Sequence, residues 1–198
     1  VLNQELSGSG NLALQGGYDD QYVTLPNDLV SGLTNATLEV WLTWHGGGDW
    51  QRIFDFGLSS GGEREQGGGV DYLYLTARSE ASQGGTLRVA YNNDGQARIL
   101  LDGPVALPTH VLTHVAVVFD DANDSMSLFM NGDLQASVAN THSLADLQYV
   151  NNWLGHSQFN ADPDLDGVLE EFRVYKEALS ADQLRLSSRA GPDAYFLE

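Results

Sequence analysis

The stretch HVAVVFDDANDSMSLFMNGDLQASV, residues 114–138, decides the fold. Its beginning, HVAVVF, is a continuous apolar run of the kind that forms a strand buried on both faces. The segment DDAND that follows has the composition of a turn, and residues 125–130 form the returning strand. Asn131-Gly132 is a strong signal for a tight hairpin turn, and it leads into a third strand over residues 134–138. The stretch therefore predicts three consecutive antiparallel strands.

Strand patterns continue on both sides of this stretch. In TLEVWLTW, residues 37–44, apolar side chains alternate and end at Trp44, which the alternation places in the core. Further strands are predicted over residues 22–25, 52–57, 70–77, 86–92, 97–101 and 168–175. Ser180 and Gln183 form a capping box that opens one short C-terminal helix. Short strands without a βαβ alternation predict an all-β fold, an antiparallel two-sheet jelly-roll sandwich, as a single domain over residues 1–198.

The composition restricts the partners of this domain. The 198 residues contain no cysteine, which excludes disulfides, thiolate metal sites and a cysteine nucleophile. Nine basic residues stand against 27 acidic ones, a net charge of −18. Such a surface repels nucleic acids and anionic lipids, and no apolar run is long enough for membrane insertion. The acidic excess indicates either a solvated surface suited to saline surroundings or carboxylates gathered for Ca²⁺.

Seven segments in chain order resemble the strands of laminin-G-like, concanavalin A-like domains. They are LALQGGYDDQYV (12–23), ATLEVWL (36–42), HVAVVFD (114–120), LFMNG (128–132), WLG (153–155), LDGVLEEFRVY (165–175) and ALS (178–180). The resemblance covers a core of residues 11–186 and implies two packed, curved antiparallel sheets. It leaves the function open, because this sandwich serves lectins, carbohydrate-binding modules, adhesive domains and some glycoside hydrolases.

Three functions are compatible with this resemblance. The hydrolases of the family have acidic residues two apart on one strand, a string that this chain lacks, so we expect no enzymatic activity. The favoured function is a lectin-like, carbohydrate-binding module of a larger, secreted or cell-surface bacterial protein, monomeric and stabilised by Ca²⁺. Its ligand would be a glycan. The alternative is a spacer or protein-binding domain of a cell-surface adhesin, and a glycoside hydrolase ranks last.

The resemblance also implies a calcium site at the edge of one sheet. The matching residues are Gly17, Asp19 and Asp20 after the first strand, together with Glu170 in the last strand. The family usually has Asp at the position of Glu170. The alternative is that Asp19 and Asp20 form a solvated turn while Glu170 pairs with Arg173 or another basic residue. The acidic run DPDLD, residues 162–166, is expected to be a surface loop before the last strand, with a second calcium site as the less favoured possibility.

A sugar site needs an aromatic platform beside planar hydrogen-bonding side chains. Three predicted loops at the ends of strands have this composition, and we expect them to form one rim. The candidate ligand-binding residues are Trp50, Arg52, Tyr91, Asn92, Asn93, Asp94, His156, Phe159 and Asn160. The alternative site is the strand face shared by Tyr72, Tyr74 and Arg78.

Overall fold

The computed structural model describes residues 11–18, 21–94 and 96–194, and it consists of two six-stranded antiparallel sheets. The back sheet has the order β1 (Leu12–Gly17), β12 (Asp164–Tyr175), β3 (Ala36–Trp44), β8 (Thr113–Asp120), β9 (Ser125–Met130) and β10 (Asp133–Ala139). The front sheet has the order β2 (Val23–Thr24), β11 (Asn151–Leu154), β4 (Arg52–Ser59), β5 (Gly69–Thr76), β6 (Arg88–Asn92) and β7 (Ile99–Asp102). The predicted two-sheet, all-β fold is confirmed.

The core lies between the two sheets because alternate side chains of both sheets point inward. Leu38, Val40 and Leu42 of β3 face Phe54 and Phe56 of β4 within one apolar cluster. Trp44 belongs to the same cluster and is 1% exposed, as the alternation along β3 predicts. The inner faces are therefore filled by side chains, and any ligand site must lie outside them.

Residues 114–138 fold as predicted. Strands β8, β9 and β10 pair in sequence, and Met130 pairs with Asp133 across a two-residue turn. Both turn residues have positive φ, 53° at Asn131 and 82° at Gly132, as a hairpin turn of this length requires.

The C-terminal helix α1 (Ala181–Ala190) begins at the predicted capping box, in which Ser180 and Gln183 bond each other's backbone amides. Its Leu184 is fully buried and packs with Val118 and Phe129 on the outer face of the back sheet. Among the described residues, no helix is long and apolar enough to cross a membrane.

Strand β12 begins earlier than its apolar pattern indicates. The structure starts it at Asp164, so the acidic residues Asp164 and Asp166 belong to the strand and pair with β1. The expectation of a surface loop over residues 162–166 is wrong for this part, since the Asp164 side chain is only 3% exposed. Its Oδ1 accepts a 2.5 Å hydrogen bond from Nδ1 of His156, which explains how a carboxylate is tolerated there.

Candidate functional site

A pocket of about 450 Å³ opens on the outer face of the front sheet. Its walls come from β4, β5 and β6 and from the loops beside them. The lining residues are Trp50, Arg52, Gly69, Tyr72, Tyr74, Gln83, Asn92, Arg98, Phe159 and Asp162.

The floor of the pocket is aromatic. The rings of Tyr72 and Tyr74 are stacked with their centroids 5.3 Å apart, and Phe159 meets Tyr72 edge-on at 5.6 Å. These rings form a separate apolar cluster with Ala90, which pairs with Tyr74 across the sheet. Tyr72 and Tyr74 line the cavity although each is only 5% exposed, so a small part of each side chain is accessible from the pocket.

Trp50 stands at one side of the pocket in a strained conformation. Its φ is 66°, which is rare for a bulky side chain, and the ring is only half-buried. The loop that carries it is held by Arg78, whose backbone carbonyl accepts from the Trp50 amide at 2.9 Å and whose Nε donates to Asp49 at 2.5 Å. Strain maintained by surrounding contacts is typical of functional positions.

Arg52 joins three of the aromatic rings. Its guanidinium lies 3.9 Å from the ring centroid of Tyr74, and about 5.5 Å from those of Trp50 and Phe159. It donates to the Trp50 carbonyl at 2.8 Å and to Asp162 Oδ2 at 2.7 Å. Arg52 is only 2% exposed, so it fixes the positions of the platform residues more than it offers charge to solvent.

Two carboxyl groups surround this guanidinium. Asp55 is fully buried, 3.4 Å from the Nε of Arg52, and accepts from the backbone and side-chain nitrogens of Gln158. Burial raises the pKa of Asp55 and of Asp162, although Arg52 opposes the rise at both. Ser157 donates to Asp162 at 2.9 Å. These bonds hold the loop of residues 157–162 against the front sheet, and with it the Phe159 ring.

Four of the nine predicted ligand-binding residues line the pocket, namely Trp50, Arg52, Asn92 and Phe159. The expectation that a rim of loops forms the site is changed in one respect, because the structure centres the cavity on the strand face of Tyr72 and Tyr74. Arg78, the third member of that alternative face, lies outside the lining and pairs with Asp49.

The other five predicted residues lie elsewhere. Tyr91 points into the core between the sheets, fully buried, and its hydroxyl donates to the Ser143 carbonyl at 2.8 Å. His156 is 4% exposed and stacks on Tyr22 with ring centroids 4.1 Å apart. The pocket lining also excludes Asn93, Asp94 and Asn160.

Four lining residues had no place in either predicted sugar site, namely Gly69, Gln83, Arg98 and Asp162. Arg98 was detectable from strand alternation, because it precedes Leu100 by two residues. The pairing of Ile99 with Tyr91, continued by one residue, places Arg98 opposite Asn92. Gln83 and Asp162 enter the pocket from loops, and local sequence gives no signal for that placement.

The predicted calcium ligands do not form one site. Gly17 pairs with Asp164, whereas Glu170 lies six residues further along β12, about 20 Å away at ~3.3 Å per residue. One ion cannot contact both, so the set of Gly17 with Glu170 is wrong. Arg173 does not pair with Glu170 either but with Glu171, at 2.7 Å. Asp19 and Asp20 lie outside the described residues, within which no three His, Asp or Glu side chains converge on a metal position.

The fold is shared with several solved structures, two of which contain a bound oligosaccharide. A carbohydrate-binding module (CBM40) of the Ruminococcus gnavus intramolecular trans-sialidase, bound to α2,3-sialyllactose, superposes with a TM-score of 0.71 at 21% identity, over 89% of this chain and 95% of that one. Domain 4 of the extracellular arabinanase AbnA from Geobacillus stearothermophilus, in complex with arabinotriose, gives 0.69 at 19% identity, over 92% and 78%. A heptameric SAP-like pentraxin from Limulus polyphemus gives 0.61 at 15% identity, over 92% and 83%.

The comparison with protein-family models agrees with these superpositions, although no curated protein sequence matches the chain. A family model described as the concanavalin A-like lectin/glucanases superfamily (Laminin_G_3) matches residues 15–185, which is most of the chain and confirms the resemblance of the strand segments. The chain therefore belongs to the concanavalin A-like lectin/glucanase superfamily.

Proposed function

We propose that this domain is a non-catalytic carbohydrate-binding module that holds a glycan in the front-sheet pocket. The observation that carries the proposal is an open cavity with an aromatic floor and planar polar side chains at its sides. The C–H face of a sugar ring packs on aromatic rings, while amide and guanidinium groups bond its hydroxyls. Trp50 and Tyr72 would supply the first kind of contact, Asn92 and Gln83 the second.

The carboxyl groups around the pocket favour binding without hydrolysis. Glycosidases of the usual kind need two carboxyl groups on opposite sides of the scissile bond. Among the described residues that line the pocket, Asp162 is the only acid, and its Oδ2 is bonded to both Arg52 and Ser157. Asp55 is beneath the surface and fully buried. We therefore assign no general acid or base here.

We further propose that the module acts outside the cell as part of a larger protein. The proposal is supported by the cysteine-free, strongly acidic composition, and by the similarity to a domain of an extracellular arabinanase. The alternative, a protein-binding or spacer domain of an adhesin, predicts the same location with a different ligand.

Calcium binding is proposed at the end of β1, with Asp164 in place of Glu170. The register brings Gly17 next to Asp164, and Oδ2 of Asp164 is buried without a hydrogen-bond partner. A cation is one way to satisfy a buried carboxylate oxygen, and strand-end carbonyls suit the oxygen-rich shell of Ca²⁺. The remaining ligands would come from Asp19 and Asp20.

Glycan binding is tested with an array followed by titration calorimetry. The variant Trp50→Ala should weaken the best glycan by about 1 kcal/mol or more, roughly fivefold, because it removes one aromatic contact. The matched control is Leu134→Ala, an exposed apolar residue on the back sheet, which should bind as the parent does. If no glycan binds, the module is not a lectin and the protein-ligand alternative takes its place.

Calcium binding is tested by thermal melting in millimolar Ca²⁺ and in EDTA. Saturation at 100 times Kd stabilises the folded state by about 2.7 kcal/mol, or roughly 5–10 °C for a domain of this size. Asp164→Asn should lose the shift and Glu170→Gln should keep it. Equal melting temperatures of the parent protein in the two buffers would overturn the calcium proposal.

A further inference from the structure

Positive charge is scarce in this protein, and part of it lies at the pocket. The sequence has nine lysines and arginines against 27 acidic residues. Three of these nine side chains, those of Arg52, Arg88 and Arg98, are at the pocket or directly beside it. Arg52 and Arg98 line the cavity, and the Arg88 guanidinium lies 5.7 Å from the Trp50 ring centroid. These three guanidinium groups differ in whether they have a carboxylate partner among the described residues.

Two of the three arginines are already neutralised by the protein. Arg52 is bonded to Asp162 and lies beside Asp55. Arg88 is 4% exposed, and its Nε and second terminal nitrogen donate to Asp102 at 2.5 and 2.9 Å. It also donates to Oε1 of Gln83 at 2.7 Å, which orients that lining residue. Both guanidinium groups thus have roles inside the protein.

Arg98 differs from these two arginines. It is exposed, it lines the cavity, and within residues 11–18, 21–94 and 96–194 it has neither an ion pair nor a hydrogen bond. Its guanidinium has five N–H donors in a rigid fork that matches the two oxygens of a carboxylate. Because Arg98 also lines the cavity, its guanidinium is available to a ligand there.

The single acid of the lining does not compensate this charge. Asp162 Oδ2 accepts from Arg52 at 2.7 Å and from Ser157 at 2.9 Å, so its charge is directed toward the protein. Asn92 donates its side-chain amide to the Val70 carbonyl at 2.7 Å, which leaves its oxygen for a hydroxyl donor. Among the residues that the structure describes, the pocket therefore combines one cation without a protein partner, neutral hydrogen-bonding groups and an aromatic floor.

We propose that the ligand is an acidic glycan, whose carboxylate pairs with Arg98 while its sugar ring rests on the aromatic floor. This inference rests on the proposed function and narrows it to sugars with a carboxyl group. A neutral sugar would leave Arg98 unpaired but could still use the platform. Arg98 is then the residue that determines specificity, and the aromatic residues supply affinity common to many sugars.

The test uses pairs of glycans that differ only in the carboxyl group. Oligosaccharides ending in a hexuronic acid or a nonulosonic acid are titrated alongside their carboxyl-reduced twins. We expect the parent protein to bind at least one acid tenfold or more tightly than its twin. Arg98→Gln should remove this preference and keep the weak binding of the twin, and Arg98→Lys should retain part of it.

The matched control is Arg189→Gln, an exposed arginine on α1 beyond the back sheet, which should behave as the parent protein does. If acid and twin bind equally, or if Arg98→Gln keeps the preference, the inference is overturned while the carbohydrate-binding function stands. If neither binds to any measurable degree, both are overturned. The melting temperature of each variant shows that the change is in the site and not in the fold.

Discussion

Both sheets carry apolar or aromatic side chains on their outer faces, but the two faces are covered differently. On the back sheet, Val118 and Phe129 point outward, and α1 covers them with Leu184. On the front sheet, Tyr72 and Tyr74 point outward, and no helix of the described residues covers them. An apolar sheet face gains stability when something covers it. On the back sheet the chain covers the face with a helix, whereas on the front sheet Arg52 and Phe159 cover most of the two tyrosine rings and a pocket remains beside them.

The polar side chains on the two faces show the same contrast. Beneath α1, Glu39 bonds His114 at 3.1 Å and Ser187 at 3.0 Å, with all three side chains buried. These bonds lie between the sheet and its own helix. On the front face Arg52 holds loops in place, but Arg98 extends its donors toward solvent. The polar contacts beneath α1 are therefore satisfied within the protein, whereas Arg98 is available for the proposed ligand.

The largest expected effect is a loss of stability when the contact between α1 and the back sheet is weakened. Leu184→Ala removes a fully buried side chain under the helix, at a cost of about 2–5 kcal/mol in the free energy of unfolding. Chemical denaturation measures this loss. The control is Leu186→Ala in the same helix, whose side chain is 58% exposed and whose removal should change little. Equal losses from both variants would mean that α1 does not seal this face through Leu184.

A smaller effect, which depends on pH, is expected from the front sheet. Because burial raises the folded-state pKa of Asp55, the folded protein binds the proton more tightly than the unfolded chain. The contribution of Asp55 to stability is therefore full below its unfolded value of about 3.9 and declines as the pH rises through the folded pKa. Asp55→Asn does not titrate, and Arg52 keeps Asp162 as its partner.

Denaturation at pH 4 and pH 7 measures this difference. The stability of Asp55→Asn relative to the parent protein should improve between the two values. The exposed Asp28→Asn, outside the Arg52 network, serves as the control. A relative stability of Asp55→Asn that falls from pH 4 to pH 7 would show that the ion pair with Arg52 outweighs burial.

The smallest effect concerns the strain at Trp50. Glycine adopts a positive φ without the cost of roughly 1 kcal/mol that other residues incur. Trp50→Gly should therefore be about 1 kcal/mol more stable than Trp50→Ala, or roughly 2–4 °C in melting temperature. Both variants should lose the same glycan affinity, since both lack the ring. A less stable glycine variant would mean that this loop is not strained at its φ of 66°.

The sequence predicts the fold well because apolar alternation is a local property. The hairpins of residues 114–138 and the helix cap at Ser180 are encoded within a few residues of each other, and both form as expected. The site is less predictable, because it depends on which face of a strand each residue occupies. Tyr91 was assigned to the rim because it stands at the end of a predicted strand, whereas its position in β6 turns the side chain into the core.

A bulge in β4 shows a second limit of sequence patterns. Arg52 pairs with Thr76 and Phe54 with Leu75, so Ile53 is an extra residue in the strand. Ile53 and Phe54 both enter the core, and Asp55 returns to the outer face. The bulge places Arg52 and Asp55 on one side, three residues apart, which strict alternation forbids. No local pattern of residue types predicts such a bulge.

The distribution of the tryptophans makes Trp50 an intrinsic fluorescent probe of the pocket. The chain has four of them, and three (Trp41, Trp44 and Trp153) are each 1% exposed. Only Trp50 has a half-buried indole, at the edge of the cavity. A small neutral quencher such as acrylamide therefore reaches one emitter far more readily than the other three. Acrylamide quenching of the intrinsic tryptophan fluorescence should therefore decrease when a ligand covers Trp50, and no attached dye is needed to follow binding.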